Sequence, residues 1–392
     1  MALPLSYPLR NLIARPGRTL ITGGVVALVV VACTLFLGLI SSLKRTLVAS
    51  GDPRNLVVLR KGSTNDGASQ IALDAYRSIR YLDGIAMNAQ GRPLISPELV
   101  VQPFFHTLDG GRENVLVRGV EPIALEVHPG VRIIEGRMLH PSSGEAVVGT
   151  AVRGRYEGAR LGDTLRFGNG RWRVVGILEA GGSSFDSEVW VDVRELARDA
   201  RRPYPYSGIR LRAASPADLP RLAERIAADP RYALEAQRET DYYEAQSETA
   251  DVLYSFVVGI AILAGVGAGF GASNTLYAAV RARTREIGTL RALGFSRGAI
   301  LLAFETEAIV LALVGFALGA GLSLAAAAGL QAWLGGVAFG STTFTTNIVT
   351  LRVGAGDLLA ALGLAVAIGV LGGLGPAWRA ARMRPIEALR RA

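Results

Sequence analysis

Cysteine, lysine and histidine are nearly missing from this sequence. One cysteine, Cys33, occurs in 392 residues, inside an apolar run, which excludes an intrachain disulfide and a cysteine metal cluster. The only lysines are Lys44 and Lys61, and neither closes a G-x-x-x-x-G-K-[ST] loop, so the sequence carries no Walker-type phosphate cradle. His106, His128 and His140 lack metal-ligand spacing such as H-E-x-x-H and read as surface or core residues. Ser183, Ser184 and Asp186 follow Gly181-Gly182 without a G-x-S-x-G elbow, which reads as a flexible loop rather than a hydrolase nucleophile. With no acid, base, nucleophile or metal set assembled, the chain is not expected to be an enzyme. Charge is scarce too: 19% of residues are charged and 50% hydrophobic, too apolar for an ordinary soluble protein.

Long uncharged runs take up much of the chain. Residues 19–43 contain no charge, and the run is longer than the ~7 to 15 residues of a signal-peptide core, so an uncleaved anchor is expected despite the cleavage-like Val48-Ala49-Ser50. Residues 252–280 are uncharged for about 43 Å of helix, more than a ~30 Å hydrocarbon core requires. Two further spans are expected at 299–334 and 357–378. The net charge of +9 invites a nucleic-acid reading, but thirteen arginines fall in 1–18, 281–298 and 379–392, beside the apolar runs. Positive-inside bias explains this better, so no nucleic acid is expected, and these three segments are placed in the cytoplasm.

The expected fold class is an integral membrane α-helical protein of four transmembrane helices, with a large α+β extracytoplasmic domain inserted between helices 1 and 2. The order is a cytoplasmic segment 1–18, helix 1 at 19–43, an outer domain with stalk at 44–251, helix 2 at 252–280 and a cytoplasmic loop at 281–298. Helix 3 at 299–334, an external loop at 335–356, helix 4 at 357–378 and a cytoplasmic tail at 379–392 complete it. Within the outer domain, a helix is expected over 70–82 and strands over 99–105, 115–120 and 146–148. Gly168-Asn169-Gly170 joins strands 164–167 and 171–178 as a tight hairpin. Ser215-Pro216-x-Asp218 opens a helix to about 228, and a strand follows over 232–237. From Thr240 neither proline nor glycine intervenes before Gly259, so one helix should run from the stalk into helix 2.

Arg281 to Gly298 is the most informative stretch: five arginines with one acid, Glu286, between two apolar runs. Glu286, Leu290, Leu293 and Arg297 recur at helical spacing and Gly294 offers a C-cap, giving a surface helix of about three turns. In helix 2, Gly265 with Gly269 and Gly267 with Gly271 form small-x-x-x-small pairs suited to close helix packing between subunits. Glu305 and Glu307 at the start of helix 3 are costly in lipid and are read as snorkelling or pairing with loop arginines.

Three motifs together resemble the MacB/FtsX-type ABC transporter permeases, a group that includes LolC, LolE and DevC-like subunits. Asn274, Val280, Arg283, Thr284, Arg285, Glu286, Ile287, Gly288, Arg291, Ala292 and Gly294 fit the family's loop pattern. Phe304, Glu307, Ala308, Gly315 and Gly319 fit its third helix, and Pro376 to Arg382 with Arg384 to Arg390 fit its C-terminal signature. The outer domain is similar through Gly136-Arg137, Glu145 to Gly149, Leu161-Gly162-Asp163 and Val174-Val175-Gly176. Ala282 departs from the glutamate of many members, and where MacB proper carries an ATPase fused before helix 1, a separate ATPase subunit is expected here.

The resemblance implies a bacterial inner-membrane protein with both termini cytoplasmic, acting as a dimeric mechanotransmitter beside a second permease subunit, of like or unlike sequence. A separate cytoplasmic ABC ATPase would bind ATP and Mg, leaving this chain without a cofactor. Membrane lipid and a periplasmic membrane-fusion adaptor are further implied partners. ATPase coupling is assigned to Arg283, Arg285, Glu286, Ile287, Leu290, Arg291 and Gly294, and helix packing to Gly265, Gly267, Gly269 and Gly271. The alternative is an FtsX-like regulator that activates an outer partner, such as a cell-wall hydrolase, without transporting a solute.

Overall fold

The computed structural model describes residues 16–334, 337–341 and 344–385. The leader 1–15 and the tail 386–392, with the motif residues Ile386 to Arg390, lie outside the described residues. Two compact units form. One holds Ser42–Ala250 and Leu334–Thr350; the other holds the chain up to Ser41, Asp251–Trp333 and the stretch from Leu351 onward.

The first unit is built on a ten-stranded mixed sheet. Its strands are β1 (Asn55–Arg60), β2 (Ile95–Val101), β5 (Leu116–Val120), β6 (Arg132–Gly136), β7 (Glu145–Gly149), β8 (Thr164–Phe167), β9 (Gly170–Glu179), β10 (Glu188–Asp192), β11 (Gly208–Arg212) and β12 (Leu234–Arg238). The order is β12-β1-β11-β2-β5-β10-β7-β9-β6, with β8 paired to β9. β10 runs parallel to β5 and β7 parallel to β9; the other pairs are antiparallel.

Several strands read as unbroken apolar runs because both of their faces are covered. In β1, Leu56 and Val58 enter one core while Val57 and Leu59 enter the other. In β10, Val189 and Val191 face the first core and Trp190 the second. The first core receives Tyr76 and Ile79 from α2 (Leu73–Ile79), Leu196 from α4 (Val193–Asp199) and Leu219, Leu222 and Ile226 from α5 (Asp218–Ala227). The second receives Ala124 from α3 (Ala124–Val127) together with Tyr242 and Tyr243. Each buried aliphatic side chain is worth about 1.5–3 kcal/mol, so two-sided coverage lets short strands hold a large sheet.

Local departures from the sequence expectations have simple causes. The strand expected over 99–105 is cut by Pro103, which has no N–H to donate; β2 ends at Val101, and β3 (Phe104–His106) pairs instead with β4 (Arg112–Asn114). The helix expected from 70 begins at Leu73, because Ile71 N–H donates to Tyr206 O in an antiparallel bridge. The helix expected at Pro216 starts at Asp218, whose carboxylate accepts from Ser215 N–H and hydroxyl. The 168–170 hairpin is present, with Phe167 opposite Gly170. The loop expected at 335–356 contains a hairpin of β13 (Val337–Ser341) and β14 (Phe344–Val349); residues 335–336 and 342–343 lie outside the described residues. It belongs to the sheet-bearing unit, where Ile348 N–H donates to Ser187 Oγ.

The second unit is helical. α1 (Pro16–Val48), α6 (Glu239–Ala282), α8 (Arg297–Leu334) and α9 (Ala355–Arg382) are each long and apolar enough to cross a membrane, and α7 (Thr284–Ala292) lies between α6 and α8. α6 starts in the sheet-bearing unit and is assigned as helix throughout its 44 residues, about 66 Å. Glycines let these helices approach closely. A Cβ added at Gly319 would lie 2.7 Å from Ala27 O and from Val30 Cβ of α1, and one at Gly369 2.9 Å from Ala312 Cβ of α8. Of the four α6 glycines singled out, Gly265 faces Leu364 of α9, and Gly269 presents its carbonyl 2.9 Å from where a Gly372 Cβ would stand. Cβ positions at Gly267 and Gly271 meet nothing within 4 Å in this chain.

Gly319→Leu is expected to force α8 away from α1 and to cost at least the ~1–3 kcal/mol of an overpacked core. A lowered thermal transition of the detergent-solubilised chain is the measurement; an unchanged transition would contradict this packing.

Candidate functional site

α6 and α7 are separated by a single residue, Arg283, with φ −114° and ψ 15°. Its N–H donates to Val280 O and its carbonyl accepts from Ile287 N–H, so the backbone of one residue serves the ends of both helices. At the far end α7 closes in a complete Schellman motif: Phe295 N–H donates to Leu290 O and Gly294 N–H to Arg291 O, with Gly294 at φ +95°. The left-handed position is the physical reason for a glycine there. Arg291 Nη1 donates to Phe295 O at 2.8 Å and straps the turn.

The inner face of α7 is carried by Ile287, 1% exposed among Val280, Ile300, Phe304, Ala377 and Ala380. Arg285, Glu286, Thr289 and Leu293 are exposed, and Leu290 and Arg291 are half-buried. Two of the residues expected to take part in coupling lie on this inner side. Ile287 packs within its own chain, because the apolar stripe of a short amphipathic helix is spent on the nearest core. Arg283 is 5% exposed and turns inward, its Nη1 donating to Glu307 Oε2 at 2.9 Å and Oε1 at 3.3 Å. Leu293, 68% exposed, is an outer-face residue that periodicity pointed to and motif reading passed over. Glu305 faces the opposite way, its Oε2 2.9 Å from where a Gly373 Cβ would stand.

The other end of α6 roots in a buried charge cluster that the sequence reading missed. Glu239, the first residue of α6, is fully buried and accepts from Asp52 N–H (3.0 Å) and Asn55 Nδ2 (2.9 Å). Arg210 Nε lies 3.6 Å and His128 Nδ1 3.8 Å from its Oε1. Beside it, Arg118 is bidentate on Glu188 (2.7 and 2.6 Å) and donates to Glu98 (2.8 Å), while Arg210 donates to Asp66 (2.6 Å) and pairs with Glu98 (3.0 Å). His128 Nε2 meets Glu98 Oε1 at 2.9 Å, so this histidine is a satisfied core residue; no cluster of metal-ligating residues exists among the described residues. Burial opposes ionisation of Glu98, but Arg210, Arg118 and His128 more than offset it and hold the carboxyl well below the usual range. The available signal was a charge flanked by apolar residues inside a strand, as at Arg118 in LVRGV and Arg210 in GIRLR.

Residues 19–229 match the MacB-like periplasmic core domain, and residues 257–385 match the FtsX-like permease C-terminal domain. The chain belongs to the MacB/FtsX family of ABC-transporter permeases. It is 28% identical over 404 residues to the macrolide export ATP-binding/permease protein MacB of Bdellovibrio bacteriovorus, covering 93% of this chain and 57% of that one. It is 32% identical over 266 residues to the pyoverdine export protein PvdT of Pseudomonas entomophila, covering 62% and 37%. Against the uncharacterized permease YknZ of Bacillus subtilis it is 37% identical over 134 residues, covering 34% and 30%. The chain thus spans about half the length, or less, of these curated relatives. Among solved structures, the periplasmic region of MacB from Actinobacillus actinomycetemcomitans aligns with TM-score 0.38 at 12% identity, covering 51% of this chain and 94% of that one.

In this MacB-type permease α7 and Glu307 fall inside the FtsX-like region, whereas Glu239 lies between the two matched regions, at the start of the helix that joins them. Glu98→Gln would leave Arg118 and Arg210 short of counter-charge and is expected to cost about 3–5 kcal/mol. The depressed Glu98 value means its charge stabilises fully above about pH 4.3, the ordinary glutamate value, and the contribution is lost as pH falls through its lower folded value. Unfolding of wild type and variant across an acid pH series checks both: the gap should be full at neutral pH and close only in strong acid.

Proposed function

We propose that this permease is a mechanotransmitter in the bacterial inner membrane, with both termini cytoplasmic and the sheet-bearing unit on the outer side. An ABC ATPase partner, carrying ATP and Mg, docks on the exposed face of α7 through Arg285, Glu286 and Leu293, with the half-buried Leu290 and Arg291 at its edge. Two permease subunits, alike or unlike, work as a pair in membrane lipid, and closure of the ATPases moves α7. That displacement passes along α6 to the outer unit and expels a lipid-like molecule, lipoprotein, peptide or drug, with a membrane-fusion adaptor as a further partner. The exposed faces of Gly267 and Gly271 suit the approach of the second subunit.

One observation carries the reading. A single helix, α6, begins at a buried acid in the sheet-bearing unit and ends one residue before α7. The export activities named for the curated MacB and PvdT relatives favour solute extrusion over activation of an outer enzyme.

Glu286→Ala is expected to lower ATPase stimulation about tenfold at unchanged thermal stability, since its side chain is exposed and coupling between sites is commonly worth that much. Arg291→Ala should do the same and also lower stability slightly, because it removes the strap on Phe295 O. The assay is ATP turnover by an ABC ATPase that co-purifies with the full chain, reconstituted with it in nanodiscs. Full stimulation in both variants would remove α7 as the docking site, and capture of a cell-wall hydrolase with no solute movement would favour the regulator.

A further inference from the structure

Between the stalk helix and the docking helix stands one residue, and its side chain is not at the surface. Arg283 supplies the backbone break between α6 and α7, and its guanidinium is buried on Glu307 of α8. Glu307 lies ten residues into α8, about 15 Å from its start, a depth at which an ionised side chain is retained only with a partner. Ile300, Phe304 and Glu307 fall at i, i+4 and i+7 on one face of α8. Ile300 and Phe304 pack with Val280 of α6 and Ile287 of α7, so an apolar contact and a charged one grip the same joint from the same helix.

We propose that the Arg283–Glu307 pair is the pivot of the coupling joint, fixing the angle of α7 and delivering its displacement to α8 as well as to α6. This rests on α7 being the ATPase-docking helix. An apolar contact alone permits α7 to slide, since dispersion is non-directional. A charge-assisted hydrogen bond is directional, and Arg283 Nη1, reaching both oxygens of Glu307, ties the start of α7 to one point on α8. The joint then behaves as a lever on a fixed fulcrum: an outward push on Glu286 and Leu293 turns α7 about Arg283 and loads α8 through Glu307. Arg283 and Glu307 are positioning residues that touch neither nucleotide nor cargo.

The test separates holding the fold from setting the angle. In the full chain with Cys33→Ser, spin labels at Thr289→Cys and Leu302→Cys, both exposed, report the α7–α8 distance in lipid nanodiscs. Three backgrounds are compared: wild type, the apolar pair Arg283→Met with Glu307→Leu, and the exchanged pair Arg283→Glu with Glu307→Arg. Replacing a buried ion pair by apolar residues commonly preserves stability, so the apolar pair folds and tests geometry alone. It is expected to broaden the distance distribution and to lower stimulation of the co-purifying ABC ATPase by about tenfold, while the exchanged pair returns both to within about threefold of wild type. An apolar pair that matches wild type in distance and turnover, or an exchanged pair as broad and inactive as the apolar one, overturns the pivot. A wild-type chain that never alters ATP turnover removes the docking reading, and the delivery of motion with it. Normal wild-type turnover with an indifferent apolar pair removes the pivot alone.

Discussion

A charge buried in a protein or a bilayer must be paired, and that constraint acts at both ends of α6. Its first residue, Glu239, is fully buried among Asp52, Asn55, Arg210 and His128, and the residue after its last, Arg283, is buried on Glu307. Withdrawing either group from its partner strands an ion in a medium that solvates it poorly. Each end of the helix is thereby committed to its own surroundings more firmly than apolar packing alone would achieve.

The two kinds of core use different physics. In the sheet-bearing unit, strands with both faces covered bury branched aliphatic and aromatic side chains around a charge cluster in which two arginines serve several carboxylates. In the helical unit, close contact between the long apolar helices is gained by removing side chains. Gly315 and Gly319 of α8 abut α1, Gly369 and Gly373 of α9 abut α8, and Gly372 abuts Gly269. The uncovered Gly267 and Gly271 lie on the same helix as Gly265 and Gly269, which are used within the chain.

α7 divides its labour by face. Ile287 and Arg283 hold it to the helical unit, and Arg285, Glu286 and Leu293 look outward. Holding the helix by its inner face leaves these three side chains exposed on the other. The Schellman turn at Gly294 ends the helix before its apolar stripe can continue, so the chain turns into α8 within a few residues.

Four long helices, the helix from the stalk into the second of them, the 168–170 hairpin and the basic stretch between α6 and α8 were legible from the sequence. They depend on run length, period, glycine position and local charge, all of which are properties of neighbours along the chain. The partner of Arg283 was legible only as a class, since a glutamate in an apolar helix demands a cation without saying which one. Which glycines of α6 face α9, that Ile287 turns inward, that β13 and β14 pair within the sheet-bearing unit, and that Asp66, Glu98, Arg118, Glu188, Arg210 and Glu239 converge were decided by tertiary structure alone. Those residues are up to 173 positions apart, and a pairing over such a distance is chosen by which strands become neighbours in the sheet, which no local pattern encodes.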